Sequence, residues 1–239
     1  YTLGFNLAFF TVGLFGLALT EGFATSLASE VVSTRPEKIR ELYNSQFEYL
    51  FFFAIPVAMG GMVVARDLIV GFYGESVIGA VSVAMVYFPF FVYAKLGALS
   101  STFLPVLDKE RVLVYARLVY AVCNATVNII LIPRYGALGA AIGTGITSLF
   151  GIGYETWVMH KLVRPSYPWK FLVKTIFSAC VMSLVALFAS AHLSVTPLLR
   201  AAIAIAVGAC VYAVMTIILK PISPLNAELM VRTGLPFSK

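Results

Sequence analysis

The sequence predicts an all-α protein, a polytopic membrane helix bundle of about seven transmembrane helices. Of its 239 residues 60% are apolar and only 12% are charged, against roughly 25% charged in soluble domains. Mean hydropathy is +0.93. The apolar residues fall in blocks of about twenty, the length that crosses a bilayer's hydrocarbon, separated by short charged stretches. Hydrocarbon offers no water to backbone groups, and no series of alternating ten-residue strands could close a barrel, so each block must form a helix. Disordered chains, secreted disulfide scaffolds and nucleic-acid modules are excluded together. Cys123, Cys180 and Cys210 each fall inside an apolar block with no close spacing, and are expected as buried small hydrophobes.

The candidate spans lie near residues 3–28, 47–65, 77–100, 112–132, 137–159, 171–191 and 197–219. Before the second, Thr34 and Glu37 fit a capping box with Pro36 in the first turn. They open an amphipathic lead-in through Ile39, Leu42 and Tyr43. Pro56 and Pro89 fall inside spans, where a kink would suit a rocking transporter, and Pro105 falls just past the third. In the fifth, Gly139, Gly143, Thr147 and Gly151 make a stripe of small residues four apart, which lets another helix approach closely. Trp157 and Trp169 flank the most basic loop, where aromatic rings favour the headgroup layer.

Orientation follows from the loops. One set carries thirteen basic residues: Arg35, Lys38, Arg40, Lys109, Arg111, Arg117, Lys161, Arg164, Lys170, Lys174, Lys220, Arg232 and Lys239. The alternate set has Arg66, Arg134 and Arg200. The positive-inside rule then expects the richer set, and the C-terminus, in the cytoplasm. The net charge of +6 is mostly this topological bias. The first residue is Tyr1 and no signal-type segment is present, so the chain reads as a piece of a longer protein.

Charge at membrane depth costs roughly 2.5–3.5 kcal/mol on insertion scales, so intramembrane charges are where function is sought. Lys95 in the third span and Glu21 in the first stand out, both near the basic side. Lys95 either snorkels, with Glu21 as partner, or faces a watery cavity and binds an anionic group. Asn124 and Asn128, four apart on one face of the fourth span, are either interhelical glue or cavity lining. His160 and His192 lie near no nucleophile or paired carboxylate. No P-loop, dinucleotide turn or metal spacing occurs, so neither an enzyme nor a cofactor site is expected.

The stretch from Asn124 through Asn128 and Leu131-Ile132-Pro133-Arg134-Tyr135-Gly136 to Gly139-Ala140-Ala141 resembles the polysaccharide-transporter branch of the multidrug/oligosaccharidyl-lipid/polysaccharide exporter superfamily. Pro56, Gly60-Gly61 and the Phe72-Tyr73-Gly74 turn fall in matching order. The resemblance covers roughly residues 20 to 160. It implies a flippase of two six-helix lobes. Residues 1–160 would be most of the second lobe without its opening helix, and 161–239 two further C-terminal helices and a cytoplasmic tail. The implied activity is moving lipid-linked oligosaccharide or polysaccharide units across the cell membrane by alternating access. Partners would be that lipid-linked glycan, membrane lipids, and polysaccharide polymerase and glycosyltransferase machinery, with no nucleic acid. Lys95, Glu21, Asn124 and Asn128 are the candidate substrate-binding residues. Two alternatives stand beside it: an ion-coupled multidrug exporter of the same superfamily, and a seven-helix protein that transports nothing.

Overall fold

The computed structural model describes residues 1–13 and 36–221. The elements are α1 (Thr2–Ala8), which passes into a π-helical turn (Phe9–Gly13), then α2 (Pro36–Tyr73) and a 3-10 turn (Glu75–Val77). After them come α3 (Gly79–Val106), α4 (Glu110–Val163), α5 (Trp169–Ala191) and α6 (Pro197–Leu219). Among the described residues there is no strand. Helices α2 to α6 are all long and apolar enough to cross a membrane. At 54 residues α4 is two crossings in one element, turned at Gly136, whose φ of 55° and ψ of −132° are non-helical. The chain is an all-α, multi-pass membrane bundle.

Several boundaries differ from those expected. The second span was expected to start at residue 47, but α2 runs unbroken from Pro36, because the amphipathic lead-in and the apolar block share one helix. It also continues past Arg66 and Asp67, whose charges are met by Glu75 at 3.9 Å and Arg200 at 3.6 Å. The third span, expected to stop at residue 100, extends to Val106. Ser100 and Thr102 donate their hydroxyls back to the carbonyls of Leu96 and Ala98, so this polar run stays helical. Helices α2 and α3 continue through Pro56 and Pro89. Thr34 of the capping box, residues 14–28 of the first span and the tail from residue 222 lie outside the described residues.

Helix α2 is the centre of the bundle. At the basic end its Tyr43, Phe47, Leu50 and Phe51 bury with Leu99 and Phe103 of α3 and Met159 of α4. In the other half Ala54, Ala58, Ala65 and Ile69 pack against Ala80, Val83, Ala84 and Phe88 of α3. The opposite side of α2 takes α5 and α6, with Tyr212 donating to the Phe52 carbonyl at 2.8 Å. At the basic end, Lys174 donates to the Leu219 carbonyl at 2.8 Å. Outward faces are apolar, as in Phe177, Leu184 and Phe188 of α5, where lipid tails replace water as solvent. Cys210 is exposed, and Cys123 and Cys180 half-buried, not buried as expected. A weakly polar side chain meets little penalty facing lipid, so apolar sequence context does not distinguish inward from outward positions.

Candidate functional site

The hairpin of α4 builds one wall of the site. Its two arms, residues 110–135 and 137–163, pair antiparallel from the Gly136 corner. A Cβ on Gly139 would strike the carbonyl of Leu131, one on Gly143 would meet the Asn128 amide oxygen, and Gly151 packs against Ala116 and Tyr120. The small-residue stripe is therefore the seam between the arms. Along it Asn128 donates to the Asn124 oxygen at 2.9 Å, and Asn124 donates to the Thr147 hydroxyl at 3.0 Å. Thr147 in turn donates to the Gly143 carbonyl at 2.8 Å. In hydrocarbon such a ladder pairs groups that have no water to turn to, leaving only the Asn128 oxygen of this run buried without a hydrogen-bond partner among the described residues.

The other face of the second arm lies on α3. Gly145 sits against the Phe90 ring, Gly97 against Ile152 and Glu155, and Tyr93 donates to the Leu149 carbonyl at 3.1 Å. At the edge of this contact α1 docks on α3, with the Tyr1 and Tyr87 hydroxyls 2.6 Å apart and Phe5 packed edge-on to Tyr87.

Between α1, α3 and the hairpin lies a cavity of about 260 Å³. One side is aromatic, from Phe5, Tyr87, Phe90 and Phe91, and the other carries Tyr120, Thr144, Ser148, Arg117 and Glu155. Arg117 and Glu155 continue the hairpin pairing toward the basic end. The Arg117 Nε lies 3.9 Å from the Glu155 Oε1, with the arginine side chain 65% exposed and the glutamate's 2%. Arg117 also reaches the Ser101 hydroxyl of α3 at 3.4 Å. Counted along the helix, both charges lie roughly 10–12 Å inside the ends of their arms. The cavity thus offers an arginine with free N–H donors, hydroxyls, and aromatic surface, a set able to hold an anionic head group with an apolar attachment.

The family model of the lipid II flippase MurJ matches residues 4–204. This chain belongs to that family. A solved structure, the lipid II flippase MurJ in an inward closed conformation, is similar with a TM-score of 0.74 and 17% identity. The alignment covers 88% of this chain and 44% of that one, so the chain spans less than half the solved MurJ's length. No curated protein sequence matches it. The exporter superfamily expected from the Leu131–Gly136 motif stands; the family reached within it is MurJ and not specifically the polysaccharide branch. The match favours neither the drug-exporter nor the non-transporting alternative.

In this MurJ-family chain the sequence-expected residues are dispersed. Lys95 is 7% exposed and shares a helical face with Leu99, Phe103 and Phe88 of the packed core. The cavity wall is formed by its neighbours Phe91 and Ala94. It lies eleven residues from the end of α3, deeper than the five expected from a span ending at residue 100. Asn124 and Asn128 bond to each other along the first arm, and Asn124 bonds across the seam to Thr147. Glu21 lies outside the described residues. Two cavity charges were not singled out beforehand. Glu155 falls inside the expected span 137–159 and could have been found by scanning every span for acids. Arg117 falls inside the expected span 112–132, but was counted with the loop cations. Glu48, also within a span, is 7% exposed and has a partner.

Proposed function

We propose that the protein of which this chain is a part is a flippase for a lipid-linked glycan, with lipid II as substrate. The family match over residues 4–204 carries this reading, and the Arg117 cavity supports it. A polyprenyl diphosphate head group presents two phosphates to a guanidinium, while hydroxyls and aromatic faces suit sugar and the first isoprenoid carbons. The chain serves as the second lobe, its basic end cytoplasmic by the positive-inside rule. The cavity is loaded from the cytoplasmic leaflet and emptied at the outer one by alternating access. No covalent chemistry is involved. Glycosyltransferases that finish the lipid-linked unit and a polymerase that consumes it are the partners the reaction order requires.

Depletion followed by rescue tests this. Cells lacking the protein accumulate the inward-facing lipid-linked precursor, wild type clears it, and R117Q clears it poorly. Mass analysis of the accumulated lipid identifies its glycan: lipid II supports the reading, and a polysaccharide repeat unit would move the substrate to the branch first suggested by the Leu131–Gly136 motif. Normal export with no accumulation overturns the flippase reading.

A further inference from the structure

Among the described residues the Glu155 carboxyl is the one acid lining the cavity, and flipping the substrate does not by itself require it. It is 1% exposed. Its Oε2 is buried with no hydrogen-bond partner among the described residues and lies over Gly97, where an added Cβ would be 3.5 Å away. Its Oε1 faces Arg117 at 3.9 Å, beyond hydrogen-bond length. An ionised carboxylate in such a wall is held by a single distant charge, and burying one without full pairing is costly.

Resting on the flippase reading, we propose that Glu155 is a proton-binding site whose occupancy frees Arg117 for the anionic head group of the substrate. A proton is the ligand the geometry suits. A metal cation asks for several oxygens, whereas the described residues contain no group of three His, Cys, Asp or Glu that could hold one.

The step is a simple exchange. One proton adds to the Glu155 carboxylate, giving the neutral acid, and no other bond changes. The Arg117–Glu155 pair goes from net zero to plus one, and the uncompensated charge sits on the exposed arginine inside the cavity. A phosphate anion then neutralises it. Proton and anion therefore bind with positive coupling, and by reciprocity each raises the other's affinity. Loss of the proton restores the carboxylate as an internal competitor that helps expel the head group. The other titratable groups around the cavity are Tyr120 on the first arm, Tyr87, Tyr93 and Lys95 on α3, and Tyr1 ahead of α1, whose hydroxyl meets that of Tyr87. His160 lies on the same arm, but stacks on Tyr167 near the basic end.

The test is binding of polyprenyl diphosphate to the full-length protein in nanodiscs across a pH series, comparing wild type with E155Q, which keeps the volume and removes the titration. Infrared difference spectra of the carboxylic C=O band are recorded on the same samples. Wild type should lose affinity about tenfold per pH unit once Glu155 ionises. E155Q should bind at the tight level throughout, with a flat profile and without the wild-type carboxyl band. Equal pH slopes in the two proteins overturn the proposal. If neither binds at any pH, the flippase reading fails, and the infrared band alone decides the proton site: a band unchanged by E155Q overturns it.

Discussion

Asn124 donates to the Thr147 hydroxyl at 3.0 Å and thereby ties the two arms of α4 together at mid-membrane. The same amide accepts from Asn128, so its removal strands the Asn128 amide, while Thr147 keeps its own bond to the Gly143 carbonyl. N124A should cost about 1–2 kcal/mol, the upper part of what interhelical hydrogen bonds contribute in membranes. Thermal unfolding in detergent would show a loss of several degrees. An unchanged midpoint would mean the amides find other partners.

Glycine at 139 is required for closeness. A Cβ there strikes the Leu131 carbonyl, and backbone gives way less easily than a side chain. G139A should destabilise by about 1–3 kcal/mol through overpacking. G79A is the control, since nothing lies within 4 Å of that Cβ and alanine is the better helix former. Unfolding midpoints of the two variants should move apart, with G79A at or slightly above wild type.

Gly136 is required for a different reason. Space around it is open, but its φ of 55° lies where L side chains are strained. G136A should therefore cost about 1–3 kcal/mol with no change in packing. Because the strain sits at the corner, protease access at residues 133–137 should rise in G136A and stay low in G139A.

How much of this could be read from residues differs by level. The helices were legible because burial in lipid imposes a length and an apolar composition that no soluble fold shares. The hairpin corner was legible because Leu131–Gly136 is a local pattern and Gly136 has a local reason. The ends of α2 and α3 were not, since Arg66 and Asp67 read as span terminators until Glu75 and Arg200 are seen beside them. The cavity was least legible. Lys95 and Arg117 are both cations within helices, and only packing decides that the first turns into the core and the second into open space. Glu155 was hidden by being near a span end, where an acid is cheap unless its neighbours bury it.

At the basic end Lys174 donates to the Leu219 carbonyl, one of the last carbonyls of α6, which have no helical partner. K174M keeps the apolar stem and removes the charge, and should cost about 0.3–1 kcal/mol. Hydrogen exchange should report it as faster opening of the last turn of α6. Uniform exchange across α6 would place the loss elsewhere.

The contrast between Arg117 and Lys95 decides which cation serves the cavity. Arg117 lines it with most of its side chain exposed, so R117Q should weaken binding of a polyprenyl diphosphate by tenfold or more, on the order of 1.4 kcal/mol, with thermal stability near wild type where Glu155 carries its proton and lower where it would ionise unpaired. Its pair with Glu155 is too long and too one-sided to hold the hairpin shut, and the Asn124 ladder remains. K95M replaces a buried ammonium with an apolar chain of similar length in a packed face beside Leu99 and Phe103. Removing that desolvated charge should leave stability unchanged or raise it, and change affinity less than R117Q does. Titrating both variants with the same lipid and recording their unfolding midpoints separates the roles. Equal losses of affinity would show that the cavity reaches Lys95 in the state that binds substrate.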